Sequence, residues 1–302
     1  MARVQANTAA LHRVGLQDIV TLYDDGNPSW WKEIAPVEIS TTQQFHRFLS
    51  EGDFGLAPIV GENSPISDDD IFYGYQKDIT PVKRGLGFSI STEAMESDQY
   101  GRLSGIVPKI KKAFNQTKEQ AVANRINNAT STSSTYVNPD GKALAATDHP
   151  LDTGSDSNLI TTAFSASALE TMVQNMKMQY SHRGLPDPQM GPYILMIHPA
   201  QEFLAERILF SSGQQGTANN DENRIGKRIT KIVASPYFTS TTFWALRNAS
   251  AKDQPFAMLN RRGLRVKTEE DIDLDIMKYR LTEMYVPFER GWRGYYHSTG
   301  AG

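Results

Sequence analysis

The chain has 302 residues, 39% hydrophobic and 22% charged, the make-up of an ordinary folded soluble protein with room for two subdomains. Its formal charge of −3 argues against a dedicated DNA- or RNA-binding protein, which is normally basic. Cysteine is absent, which removes disulfides, thiolate zinc sites and cysteine nucleophiles together. The first residues lack a basic region followed by an apolar one, and no apolar run approaches bilayer length, so neither a secretory signal nor a membrane span is expected.

After the polar leader MARVQANTAA, Leu11, Val14, Leu16, Ile19, Val20 and Tyr23 predict a short amphipathic helix ended by Asp24, Asp25 and Gly26. The segment NPSWWKEIAPVEIS then sets Trp30 and Trp31 beside prolines without a clear period. Paired aromatics of this kind anchor an arm either onto their own subunit or onto a neighbour, and the sequence leaves both readings open. From Phe54 to Ile90 the character turns to strand. FGLAPIVGE and DIFYGYQKDITPVKRGLGFSIS predict a long two-stranded excursion, with Asn63 to Pro65 and the acidic run Asp68 to Asp70 forming its turn. A lone hairpin is marginal in water, so this one is expected to lean on something outside its own subunit. The three aspartates lack any fixed ligand spacing, which favours a solvated loop over a cation site.

The stretch from Thr92 to Ala129 organises the rest. Ile110, Phe114, Ala121, Val122 and Ile126 recur at helical spacing, and Tyr100, Leu103, Ile106 and Val107 continue the stripe upstream. A spine helix is therefore expected over about 93–128, with Pro108 either kinking it or opening its second segment. Some 35 unbroken residues would span about 50 Å. The Ser-, Thr-, Asn- and Gly-rich stretch that follows, TSTSSTYVNPDGKALAATDHPLDTGSDSN, predicts a long connection containing a subdomain boundary.

Beyond it helix and strand alternate. Leu169, Met172, Val173, Met176 and Tyr180 predict a helix with Ser165 as its N-cap and Gly184 as its stop; the Met-rich stripe reads as core ahead of an adaptable contact surface. PYILMIH is a buried-strand run, after which Pro199 opens a helix carrying Phe203, Leu204, Ile208 and Leu209 inward. Ser211 to Asn223 is a polar loop. KIVASPYF and TTFWALRN predict two strands joined by a turn, FAMLN a third with a turn at Arg261 to Gly263, and DLDIMKYRLTEMYVPFE a long last strand before RGWRGYYHSTG.

No catalytic constellation appears. The histidines (His12, His46, His149, His182, His198, His297) show no HExxH spacing, and G-x-S-x-G, P-loop and G-x-G-x-x-G motifs are missing. His149 and His198 read as structural, Glu96 and Asp98 lack a partner for acid–base work, and Arg84–Gly85–Leu86–Gly87 is a glycine-containing strand start. No catalytic, cofactor-binding or metal-binding residue is assigned. Lys109, Lys111, Lys112, Lys118 and Arg125 give the spine several cations, read first as a solvated face and second as phosphate contacts without sequence preference.

Several segments fall in one characteristic order. NPDGKALAATDHPL resembles the loop, PYILMIHPAQEFLAERILFSS the strand–proline–helix segment, KIVASPYFTSTTFWAL the strand pair and RGWRGYYHS the closing strand of Mu-type major head subunits, the tailed-phage capsid proteins of the HK97 fold. The resemblance covers most of the chain from Phe54 onward. It implies an α+β, HK97-like fold with an N-terminal arm at 1–53, an extended E-loop hairpin at 54–83, a spine-helix P-domain at 84–150 and 254–302, and an α/β A-domain at 151–253. The implied function is a non-enzymatic major capsid protein assembling into an icosahedral head around double-stranded DNA, in the virion and first in the host bacterial cytoplasm. Its implied partners are itself in pentamers and hexamers, a scaffold protein, a portal, a decoration protein and non-specifically held DNA, with no membrane. The chain lacks the long N-terminal scaffolding segment of many such proteins, so either a separate scaffold or a trimmed sequence is expected. Lys77 and Lys83 lie where some members form Lys–Asn cross-links, without a local motif fixing an Asn or Glu partner. The competing reading is another virion structural protein, such as a tail-tube subunit, which would be mostly sheet.

Overall fold

The computed structural model describes residues 29–70, 73–97, 106–211, 223–250 and 254–301. The helix expected over Leu11 to Tyr23, the upstream stripe at Tyr100 and Leu103, Asp98, and all but the ends of the Ser211 to Asn223 loop lie outside these residues. In chain order, α1 (Trp30–Ile34) precedes β1 (Val37–Ser40), β2 (His46–Glu51), β3 (Tyr73–Ile79) and β4 (Val82–Ser91). Two helices follow, α2 (Thr92–Glu96) and α3 (Ile106–Asn127). Short strands β5 (His149–Pro150), β6 (Ser155–Asp156) and β7 (Leu159–Ile160) lead to α4 (Ala166–Lys177), β8 (Tyr193–Ile197) and α5 (Glu202–Phe210). The chain ends with β9 (Ile229–Ala234), β10 (Trp244–Asn248), β11 (Phe256–Asp271), β12 (Ile276–Glu289) and β13 (Tyr295–Ser298).

Two sheets carry the fold. The five-stranded sheet runs β7-β13-β10-β8-β9, antiparallel in its centre and parallel at both edges. Its middle strands are buried on both faces, which is why β8 reads as an unbroken apolar run. Tyr193, Leu195, Ile197, Trp244, Leu246 and Tyr296 pack against α4 and α5, while Ile194, Met196, Ala245 and Tyr295 share a second core with Val122 and Ile126 of α3. In α4 the Ser165 hydroxyl caps the Ala168 N–H at 3.2 Å, and Leu169, Met172, Val173 and Met176 are buried, so the methionine stripe is core. The sequence placed β9 and β10 as a joined pair; β8 lies between them instead.

The four-stranded sheet runs β1-β11-β12-β4. Strands β11 and β12, of 16 and 14 residues, form one long hairpin that pairs from Phe256↔Glu289 to Asp271↔Ile276. The turn expected at Arg261 to Gly263 is not a turn. It is a bulge within a continuous β11, where the register shifts between Asn260 and Arg265, because the residues on both sides keep pairing with β12. Nor do the sheets follow the chain-order division: β1, from the expected arm, joins the four-stranded sheet, and β13 completes the five-stranded one.

The spine bridges both sheets. Ile110 and Phe114 at its start pack on Val266 and Leu281, and Val122 and Ile126 at its end enter the core beneath the five-stranded sheet. At 22 residues α3 spans about 33 Å. It falls short of the expected 93–128 because the chain leaves the helix at Ser97, the C-cap of α2, and residues 98–105 lie outside the described ones. Pro108 sits in its first turn, where a missing N–H goes unused; deeper in a continuous helix its ring would strike the carbonyl four residues back. The hairpin also differs from expectation. β2 pairs with β3, and residues 52–70 between them form no strand, since Gly55, Pro58, Gly61 and Pro65 interrupt any ladder.

Two carboxylates on β12 pin α3 down. Lys118 Nζ lies 2.9 Å from Glu283, and Arg125 Nη1 lies 3.4 Å from Glu289, both acids being buried. Lys77 of β3 reaches Glu289 from the other side at 3.5 Å and donates to the Val137 carbonyl. Burial raises Glu283 and Glu289 above the usual carboxylate range and lowers Lys77 below the usual amine range, against the opposing pull of the partners. Lys118→Met should therefore cost about 2–3 kcal/mol in urea unfolding of the unassembled subunit, toward the low end for a buried pair because Lys118 keeps a quarter of its side chain in solvent. Adding Glu283→Leu should recover most of that loss; no recovery would place the cost in the helix and not in the orphaned carboxylate.

In β13, His297 is buried, stacks on Phe243 and hydrogen-bonds the Tyr295 hydroxyl at 2.8 Å. Burial pushes its imidazole from the ordinary 6.5 down to about 4. The folded state thus binds this proton more weakly than the unfolded chain does. The stability it contributes is complete above pH 6.5 and drains away as pH falls toward 4, by about 3 kcal/mol at 1.36 kcal/mol per unit. Stability measured against pH should lose that portion of its slope in His297→Gln, and an unaltered slope would refute the assignment.

Candidate assembly surfaces

The motifs of the long connection meet at one buried histidine. His149 is fully buried and stacks on Trp292 with ring centroids 4.4 Å apart and planes 10° apart. Its Nδ1 lies 2.7 Å from the Asp140 carboxylate and its Nε2 3.0 Å from Asn158 Oδ1. Asn158 is held in that orientation because its Nδ2 donates to the Leu144 carbonyl while Oδ1 accepts from the Ala146 N–H. Asp140 itself comes from a tight turn that needs Gly141 at φ +80°. NPDG, DHP and GWRG, far apart in the chain, are thus parts of one knot that ties the connection to the end of β12. The structural reading of His149 holds, as it does for His198, whose Nδ1 caps the Ala200 N–H at 3.1 Å.

The knot and the β2–β3 stem hold up the excursion. Phe48 packs on Phe288 at 6.1 Å, and Arg47 binds Asp78 through two hydrogen bonds of 2.7 and 2.8 Å. Beyond the stem, Leu56, Ile59 and Ile66 are 79%, 102% and 80% exposed, with Phe54 also in solvent. Residues 51–70 carry Glu51, Asp53, Glu62, Asp68, Asp69 and Asp70 and no Lys or Arg. The loop is tied back at one place. Asp69 accepts from the Gly55 N–H (2.7 Å) and from Arg183 (2.9 Å), and Arg183 also donates to the Asp70 carbonyl (2.5 Å). These bonds hold the Asp69 carboxyl below the usual range, the Gly55 amide contributing most.

A second surface has the opposite character. The register Arg265↔Thr282, Lys267↔Arg280 and Met284↔Lys83 puts Lys83, Arg265, Lys267 and Arg280 on one face of β4, β11 and β12, and all four are exposed. The alternate residues Val266 and Leu281 face α3. Gly87 lies under Arg280, whose Nη1 is 3.2 Å from where a β-carbon would stand, so the glycine lets the guanidinium lie along the sheet. Sequence reasoning missed this face. The cations are spread over three strands and become neighbours only through pairing, and the strand periodicity of β11 was the available signal.

The cations that were singled out divide. Lys118 and Arg125 are withdrawn into the ion pairs on β12, Lys111 is half-buried, and Lys109 and Lys112 remain exposed on α3. Of the cross-linking candidates, Lys77 is committed to Val137 and Glu289 inside the subunit, whereas Lys83 is on the exposed basic face. Trp31 is buried against the spine with Ile34, so the arm is anchored on its own subunit. Asp68 to Asp70 gather no further acidic or histidine ligands: among the described residues no group of three or more His, Cys, Asp or Glu could hold a metal ion. No described helix is long and apolar enough to cross a membrane.

The architecture recurs in solved structures of low identity. The capsid of the cyanophage P-SCSP1u superposes with a TM-score of 0.58 at 12% identity, covering 87% of this chain and 85% of that one. A phage-related protein from Bordetella bronchiseptica RB50 gives 0.57 at 13% identity over 95% and 96%. The capsid of the native GTA particle gives 0.56 at 9% identity over 92% and 90%. These likenesses show an α+β, HK97-like capsid fold. No curated protein matches the chain by sequence. The family model described as phage capsid protein matches residues 74–298, well over half of the chain, and the tail-tube alternative falls away. The chain belongs to the phage capsid protein family and serves as a structural subunit of a phage head.

Proposed function

We propose that this subunit assembles with copies of itself into a closed icosahedral shell around double-stranded DNA, that it does so without catalysis, and that the excursion at 46–79 is the element that reaches a neighbour. The observation that carries this reading is the loop at 52–70, which exposes Leu56, Ile59 and Ile66 beyond any core of its own subunit. Exposed apolar residues gathered on one projecting segment mark an interaction site. Its five acids and the basic face of β4, β11 and β12 are complementary in charge, which favours a loop from one copy lying over that sheet in the next and suppresses wrong register.

In this proposal the four-stranded sheet with α3 is the P-domain and the five-stranded sheet with α4 and α5 the A-domain around the capsomer axes. The segment before β1 is the arm. A scaffold, a portal and a decoration protein are proposed as further partners, with assembly in the bacterial cytoplasm before the subunit resides in the virion; the support for these is the family resemblance. DNA contact is assigned to Lys109 and Lys112 and is limited to phosphate.

Negative-stain electron microscopy with a sizing column should show closed shells or five- and six-membered rings for the unaltered protein. Leu56→Ser with Ile59→Ser, and separately Arg265→Glu with Lys267→Glu, should leave folded subunits that fail to close shells. Shells of normal number and size from both variants would remove the loop from the interface. Lys109→Gln with Lys112→Gln should assemble normally and lose DNA at lower salt than the unaltered shell; failure to assemble would refute the DNA assignment.

A further inference from the structure

The loop at 52–70 is closed at its throat and open beyond it. Asp69 joins the two legs, taking the Gly55 N–H on one side and Arg183 on the other. Past the throat the chain reverses through the turn Gly61–Ser64, closed by the Ser64 N–H on the Gly61 carbonyl (3.1 Å), with Asn63 at φ 64°. The post to which the throat is tied is itself rigid. Arg183 stands in the turn Ser181–Gly184, which is closed by the Gly184 N–H on the Ser181 carbonyl (3.0 Å) and extended by the Ser181 N–H on the Leu185 carbonyl (2.7 Å). The Asp152 N–H donates to the His182 carbonyl (2.7 Å), and the His182 ring leans on Tyr75 of β3, so the turn and the stem of the excursion move together.

We infer that Asp69 and Arg183 form a clasp that shapes this loop before a second copy captures it, making Arg183 a positioning residue for assembly; the inference rests on the reading that the loop docks on a neighbour. The alternative sense, a clasp that holds the loop shut, is at odds with the geometry. A contact that kept the loop from a partner would cover its apolar side chains, whereas here Leu56, Ile59 and Ile66 stay in solvent with the clasp formed. What the clasp removes is the freedom of the chain between Gly55 and Asp69, and ordering a loop in advance lowers the cost of binding it. An exposed ion pair contributes little by itself, and its Asp69 and Arg183 side chains are 41% and 25% exposed. The expected effect is therefore a modest shift per subunit that the many contacts of a shell make visible in the assembly threshold.

The test measures two quantities on the full chain: hydrogen exchange of the Gly55 amide in unassembled subunits, and the subunit concentration at which light scattering reports shells. Arg183→Ala and Asp69→Ala should each speed Gly55 exchange and raise the threshold roughly two- to fivefold, with the melting temperature unchanged. Asp69→Asn, which keeps an acceptor for the Gly55 N–H, should raise the threshold less than Asp69→Ala, and the difference between Arg183→Ala and the unaltered protein should shrink in high salt. A threshold that stays put or falls in the single variants, while Leu56→Ser with Ile59→Ser raises it, overturns the clasp and leaves the docking loop standing. A threshold insensitive to all of these variants overturns both.

Discussion

Every other part of the fold takes its position from the contact between α3 and β12. The helix crosses from the distal end of the long hairpin, where Ile110 and Phe114 meet Leu281, to the shared core, where Val122 and Ile126 meet the five-stranded sheet. Two buried ion pairs fix it along the way. Apolar packing alone would let a helix slide or roll over a sheet at small cost, because it is non-directional. A buried carboxylate tolerates no such slip, since separation from its cation leaves it desolvated and unpaired. The apolar stripe therefore supplies the attraction, and Lys118–Glu283 with Arg125–Glu289 sets the register. Lys77 adds the excursion to the same point, so the stem of the loop is anchored where the spine is.

This arrangement explains why a subunit with so large an exposed loop keeps a defined shape. The sheets, the spine and the His149 knot form one block, and residues 52–70 stand outside it. A rigid block with one adaptable projection suits a protein whose copies occupy slightly different surroundings in a shell.

Much of this was legible in the sequence, and the failures have physical causes. The spacing of Leu169, Met172, Val173 and Met176 located α4 because one-sided burial leaves a period of 3.6. The unbroken run of β8 pointed to a strand covered on both faces. The spine was found but drawn as one helix from Glu93, because an apolar stripe reports a face and does not reveal the break at Ser97. FGLAPIVGE was misread as strand: its composition is that of a strand, and here its apolar residues face solvent. β2 was missed because six residues of alternating burial contain only Phe48 and Leu49 as apolar markers. The cations were misassigned for a related reason. Lys118 and Arg125 look like surface residues in a linear chain, and only the tertiary fold brings Glu283 and Glu289 under them. The basic face was invisible for the same reason in reverse. His149 was recognised as structural, yet nothing in the chain revealed that Asp140, Asn158 and Trp292 would be its surroundings.

The bulge in β11 has a mechanical consequence. The β11–β12 ladder is continuous from the shared core to its far turn except between Asn260 and Arg265. On the neighbouring strand that interruption faces Thr282 to Tyr285, a span that contains Glu283 and ends about 14 Å before Glu289 at about 3.4 Å per residue. A bulge leaves one residue without a partner, bends its strand and increases the local twist. The subunit thus carries its local bend directly under the Lys118–Glu283 ion pair. A bend so placed sets the course of the long hairpin while the cores on either side stay intact.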